Sequence, residues 1–161
     1  LTTCAIVAQT SIYESITGTY YSETLAAEYA EAQGWFDPTV GTPLEYSGKI
    51  LDALGVPTKI YENADFQLII DAVAQGDKVI AGVDAREIWS PRYDSEGNPL
   101  DQGNDIGHAV WVTGLDPEPG NTLKVILNDS GTPSGRMEVV DYLDFTNAWA
   151  DYSFSVTVVD V

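Results

Sequence analysis

Apolar and polar residues alternate along this chain in two rhythms, a helical one in the first half and a strand-like one in the second. In TTCAIVAQTSIYESITG, Thr3 can cap a helix from Cys4 to about Thr17, after which Gly18 supplies a left-handed stop. SETLAAEYAEAQG reads as a second helix, capped by Ser22 and ended by Gly34. GTPLEYSGKILDALG predicts a third: Thr42 and Glu45 make a capping-box pattern, Pro43 takes the first helical position and Gly55 closes it. A short strand at Thr58 to Tyr61 and a helix from about Asp65 to Gln75 follow, and the apolar run KVIAGVD predicts a buried strand. From Ala85 to Gly107 the apolar rhythm gives way to Ser, Pro, Asp, Gly and Asn, which predicts a long loop or irregular hairpin. Long loops of this kind often border functional sites.

HAVWVTGLD and NTLKVILND are strand-like runs separated by PEPG, which predicts an antiparallel hairpin closed by Asp116 and Asn121. The simplest register sets His108 opposite Asp129, with Cβ atoms about 5 Å apart on one face, and turns Asn128 to the other. A last helix from about Asp141 to Trp149 and the strand SFSVTVV complete the chain, the strand joining the sheet. The expected class is α+β, with the cysteine helix packed on an antiparallel sheet that carries the histidine and the aspartate.

Composition narrows the function. The 161 residues amount to one domain, so residues 1–161 are expected to form a single unit. No apolar run approaches the ~20 residues that span a bilayer, so a soluble protein without membrane insertion is expected. Acidic side chains outnumber basic ones by 25 to 7, and the resulting charge of −18 repels phosphates, which argues against nucleic acid as a partner. The chain does not begin with methionine, as befits a mature secreted form or a part of a larger bacterial protein. Oligomeric state is not legible. A single cysteine excludes an internal disulfide and a multi-cysteine zinc site. The segment YDSEGNPLDQGND has the composition of a calcium loop but breaks the Asp-x-Asp-x-Asn-Gly order and lacks the terminal glutamate, so an ordinary polar turn is expected there. No metal and no organic cofactor is expected. Trp111, Trp149 and Tyr142 read as core or cleft-wall aromatics, and Trp35 and Trp89 lie in loop-like contexts from which they could line a cleft.

The chemistry lies in three residues. Cys4 sits in the first turn of a helix, where unpaired backbone N–H groups and the helix dipole favour a thiolate. His108 is the chain's one histidine, and Asp129 is placed to accept a hydrogen bond from its ring. Nucleophile, base and orienting acid are the three roles a cysteine peptidase fills.

The order of these segments resembles the papain-like fold, specifically the C39-like peptidases: TTCAIVAQTSIYESITG opening with the cysteine, GHAVWVTG with the histidine, and VILNDSG with the acid. The resemblance spans nearly the whole chain. It implies that Cys4 is the nucleophile, His108 the general base and acid, and Asp129 the orienting carboxylate, and that the substrate is a peptide or protein. Two segments depart from the family's pattern, Cys4-Ala5-Ile6 in place of a CGP-like sequence and Asp129-Ser130 in place of Asp-Pro. The family's oxyanion-hole glutamine precedes the cysteine, and since only Leu1, Thr2 and Thr3 do so here, that donor is expected upstream of residue 1. Gln9, five residues further along the helix, projects elsewhere. Two alternatives stand beside hydrolysis: amide transfer through the same thioester, and a catalytically weak peptide-binding or regulatory domain of this fold.

Overall fold

Helix α1 (Cys4–Thr17) ends as its sequence demands, with Gly18 at φ 73° sending its N–H back to Glu14 O. Its start differs from expectation, because the Thr3 side chain makes no capping bond and leaves the first-turn N–H groups to other acceptors. Helix α2 (Glu23–Gln33) keeps both expected caps: Ser22 accepts from Leu25 N, and Gly34 turns left-handed at φ 82°. The computed structural model describes residues 2–103, 106–117, 123–131 and 135–161.

The third helix is not continuous. A 3-10 turn, Leu44–Tyr46, follows Pro43, and α3 (Lys49–Ala53) begins only after Gly48; Thr42 caps neither. Two long-range contacts override the local capping box. Gln9 of α1 is buried, and its Oε1 accepts from Ile50 N (3.0 Å) and Leu51 N (3.3 Å), so a side chain forty residues away satisfies the first turn of α3. Gly48 meanwhile lies against the strands: a Cβ there would stand 2.2 Å from Thr58 Oγ1 and 2.8 Å from Thr58 Cβ. Gly48→Ala is therefore expected to destabilise the fold by about 1–3 kcal/mol, as overpacking does. The check is urea unfolding, in which the midpoint falls while the slope stays constant; an unmoved midpoint would remove this account of the break.

After β1 (Thr58–Tyr61), α4 (Phe66–Ala74) starts under Asp65, which accepts from Leu68 N, and β2 (Lys78–Asp84) follows. The stretch expected as loop from Ala85 to Gly107 opens with a short helix, α5 (Ala85–Trp89), because Asp84 caps it through Arg86 N. The remaining elements are β3 (Gly107–Pro117), β4 (Leu123–Asn128), β5 (Arg136–Asp141), α6 (Tyr142–Ala150) and β6 (Val156–Val159). Strand β5 has no counterpart in the sequence reading; it presents only Val140 as a fully buried apolar residue.

The strands form one antiparallel sheet in the order β1-β6-β2-β3-β4-β5, so the fold is α+β. Alternation divides its residues between two apolar layers. Val79, Ala81, Val83, Val110, Val112, Val125 and Leu127 pack beneath α4 and α6 with Ile69, Phe145 and Trp149. Ile80, Ala109 and Val159 face the opposite way and receive Ala5, Ala8 and Ile12 of α1 and Leu51 of α3. The cysteine helix thus lies on the sheet, at the strand that carries His108. Among the described residues no helix is long and apolar enough to cross a membrane.

The β3–β4 register is not the one expected. Trp111 pairs with Asn128 rather than Ile126, and a bulge between Val112 and Gly114 shifts the pairs nearer the turn by one more residue. The PEPG loop, apart from Pro117, lies outside the described residues. A two-residue shift conserves the face of every side chain, so His108 and Asp129 stay on one side while ceasing to be direct partners.

Candidate active site

Strand β4 parts from β3 beyond the Trp111–Asn128 pair, and the N-terminus of α1 enters the space so opened. Ala109 N–H, which has no ladder partner on that side, donates instead to Cys4 Sγ at 3.3 Å. His108, next along β3, is buried at 5% exposure, and its Nε2 lies 2.5 Å from Asp129 Oδ1. The three residues singled out from the sequence therefore meet at one point, although the direct cross-strand pairing expected to join two of them is absent.

Asp129 is held from three directions. Besides His108, Gly131 N donates to Oδ1 at 2.8 Å and Trp89 Nε1 donates to Oδ2 at 2.6 Å. The indole of Trp89 also packs edge-on to the imidazole, with ring centroids 5.3 Å apart. With Nε2 committed to Asp129, the nitrogen left to face the thiol is Nδ1, which is buried and has no other partner among the described residues. The ring is thus fixed in plane and direction before any ligand arrives.

The ionisation of the three groups follows from this packing. Burial by itself would raise the Cys4 thiol, but the hydrogen bond and charge of His108, helped by the N–H groups of Ala109 and Ala5, bring it below its ordinary value. Burial would lower His108, yet the hydrogen bonds of Asp129 and Cys4 raise it to about 9. Burial opposes ionisation of Asp129 as well, and the donors His108, Trp89 and Gly131 hold it at about 2. Near neutrality His108 is an imidazolium and Asp129 a carboxylate, and the positive charge between them favours the thiolate form of Cys4.

A cleft of about 490 Å³ runs from Cys4 along α1. Cys4, Val7, Ala8, Ser11, Glu14 and Ser15 form its helical wall, and of these Cys4, Ala8, Ser11 and Ser15, at spacings that share one face, are small. Trp111, Asn128 and Arg136 stand opposite. Asn128 belongs to this wall, and its Oδ1 accepts from Met137 N, whose φ of 60° marks a strained turn beside the β4–β5 bulge.

Two further residues take part that the sequence left without a role. Trp89 stood only as a possible cleft aromatic; the signal available was Asp84, a capping residue five positions ahead that could have announced α5. Glu138 of β5 lies beside Asp129, and burial followed by the hydrogen bond and charge of Asp129 pushes its carboxyl up to about 7. Its partner on β4 is Leu127, and its interaction with Asp129 depends on the bulge between Leu127 and Asn128, for which the sequence carries no local sign. Of the remaining aromatics, Trp149 is core, Trp111 lines the cleft and Tyr142 stacks edge-on with Phe66, whereas Trp35, which could have lined a cleft, packs on Tyr29 instead. In the calcium-like loop, Asp94 Oδ1 is taken by the backbone N–H groups of Glu96 and Asn98, as in an ordinary polar turn. Gln9 is occupied with α3 and with Ala5 O.

No family model matches the chain. Proteins of Mycobacterium tuberculosis and Mycobacterium bovis whose names assign no activity are 43% identical to it over 81 residues. That match covers 48% of this chain and 32% of theirs, so the chain spans about a third of the length of the curated relatives it matches. Among solved structures, a Bacillus anthracis protein named provisionally as a C39-like peptidase superposes with a TM-score of 0.61 at 13% identity. The superposition covers 99% of this chain and 89% of that one, a likeness of fold over the whole length.

Proposed function

We propose that residues 1–161 form one cysteine peptidase domain of the C39-like kind, in which Cys4 is the nucleophile, His108 the general acid and base, and Asp129 the residue that orients and charges the ring. The observation that carries this reading is the convergence of a thiol at a helix N-terminus and an imidazole whose far nitrogen is 2.5 Å from a buried carboxylate. Groups that share a proton inventory in this way, at the head of an open cleft, are an acyl-transfer site rather than core packing.

The steps follow from the atoms. Cys4 Sγ attacks the carbonyl carbon of a peptide laid along the small face of α1, and the carbonyl oxygen takes the negative charge. The Cys4 backbone N–H, free of an intrahelical partner at the helix start, donates to that oxygen. His108 then gives its Nδ1 proton to the leaving amine, the C–N bond breaks and a thioester remains on Sγ. Water attacks the thioester carbon while Nδ1 accepts its proton, and the carboxylic acid departs as the thiolate re-forms. Asp129 stays ionised throughout and keeps the Nε2–H side of the ring fixed. An amine in place of water at the second step would give amide transfer, which the same residues support.

The test is covalent capture. A peptidyl electrophile is expected to add its mass to Cys4 at about pH 6, more than two units below the ~8.5 of a free thiol, because His108 remains protonated there. His108→Ala removes the imidazolium, leaves burial to raise the thiol, and should move labelling to alkaline pH. Equal labelling of the two proteins at pH 6, or labelling only above pH 8, would leave the peptide-binding alternative in place of the peptidase.

A further inference from the structure

The strand register carries one row of side chains straight across the floor of the cleft. Ile80 of β2 pairs with Trp111 of β3, Trp111 with Asn128 of β4, and Asn128 with Arg136 of β5. Directly paired residues share a face, and Ile80 places this one under α1. Arg136 therefore ends the row on the edge strand, where it lines the cleft opposite the small residues of α1. Trp111 is two residues, roughly 7 Å, along β3 from Ala109, whose N–H reaches Cys4 Sγ. Arg136 stands two strands, roughly 10 Å, across from Trp111.

Among the described residues Arg136 is the one basic side chain on this cleft, and it makes no ion pair or side-chain hydrogen bond there, although acidic residues outnumber basic ones by 25 to 7. Lys124, on the same face of β4, is by contrast paired with Asp141, and Lys78 lies over the Trp111 ring. The acids of the cleft do not take the guanidinium. Asp129 is committed to His108, Trp89 and Gly131, and Glu14 lies ten residues beyond Cys4, about 15 Å along α1. A guanidinium presents a planar fork of donors that matches a carboxylate and holds it by charge-assisted hydrogen bonds, so an uncommitted one on a peptide cleft is suited to an acidic side chain of the peptide.

We propose that Arg136 is the specificity-determining residue of the cleft and selects peptides that carry aspartate or glutamate within about three residues of the scissile bond, a span of roughly 10 Å in an extended chain. The proposal rests on the reading of Cys4 as the nucleophile of a peptidase. The net charge of −18 opposes the approach of an anionic peptide, but at physiological ionic strength exposed charges beyond about 8 Å are largely screened. The contact inside the cleft then decides which peptide is held. A charged residue that only guards the sheet edge against association would leave the choice of peptide untouched.

The probes are alanine-rich octapeptides, identical except for a single Glu, Gln or Lys placed at each position in turn, offered to the whole chain at about 0.15 M ionic strength. Glu is expected to exceed Gln about tenfold in kcat/KM at one or two positions near the cleaved bond, as one charge-assisted contact provides. Arg136→Gln should bring that ratio to about one, and Arg136→Glu should turn the preference to Lys; the position is exposed and tolerates both changes. The same peptides titrated against Cys4→Ala should show the preference for Glu in Kd with no turnover, and the double variant Cys4→Ala/Arg136→Gln should lose it. Selective binding without any turnover in the parent would remove the peptidase reading and keep Arg136 in its role. Turnover with no preference for Glu would do the reverse. A ratio that survives Arg136→Gln, or peptides neither cut nor bound selectively, would likewise overturn the assignment of Arg136.

Discussion

Replacing Cys4 with alanine is expected to reduce peptide hydrolysis by at least about 10³-fold while leaving peptide binding within a few-fold of the parent. The sequence holds no second cysteine, and of the hydroxyl groups that line the cleft, Ser11 and Ser15 lie two and three turns along α1 from Cys4 and Ser130 is exposed on the turn after β4. A serine oxygen at position 4 would be a poor substitute, because the imidazolium that stabilises a thiolate is too weak to keep an alkoxide ionised. Cys4→Ser should therefore fall with Cys4→Ala, which separates a nucleophile from a residue that merely fills space. Turnover of a casein-derived peptide mixture, read by mass spectrometry, measures the loss, and binding of one uncleaved peptide measures what remains. Residual turnover above a tenth of the parent's would require another nucleophile and end the proposal.

Asp129→Ala should have the next largest effect, a loss of about 10²–10⁴ in kcat/KM. It removes the partner of Nε2, leaves the part-buried N–H groups of Trp89 and Gly131 without their acceptor, and withdraws the first of the influences that raise His108. Burial, which lowers His108, then prevails. The sign for Cys4 follows: His108 loses its proton at a lower pH than about 9, the thiolate loses its counter-charge, and burial raises the thiol. The alkylation profile of Cys4 should move to higher pH, a change that simple loss of packing would not produce. Asn128→Ala is the comparison, since its Oδ1 serves the strained Met137 backbone rather than the imidazole. It should cost about 1 kcal/mol of stability and far less activity. Equal losses of activity in the two variants, both folded by circular dichroism, would remove Asp129 from its assigned role.

Glu138 adds a pH dependence of its own to the same carboxylate. Its carboxyl, pushed up to about 7, is protonated in mildly acid solution and can then donate to Asp129; above that pH it becomes a second negative charge beside the first. Both states keep His108 protonated, the second more strongly.

The sequence by itself determined what depends on near neighbours. Gly18 and Gly34 close their helices, Ser22 and Asp65 cap theirs, and the alternation in KVIAGVD and HAVWV assigns each residue to a face, because caps and pleats involve atoms a few residues apart. The meeting of Cys4, His108 and Asp129 was legible for a related reason: residue type, helix position and face survive a change of register by two. What only the tertiary structure decided depends on atoms distant in the chain. Gln9 caps α3 from α1 and replaces the expected Thr42, the close approach of Gly48 to Thr58 breaks the helix, and a bulge sets the register of β3 on β4. Trp89 reaches Asp129 across forty residues, and Trp111, Asn128 and Arg136 line up from three strands. No local pattern announces such meetings, because the free energy that selects them comes from packing the whole sheet between its helices, to which each short segment contributes only a part.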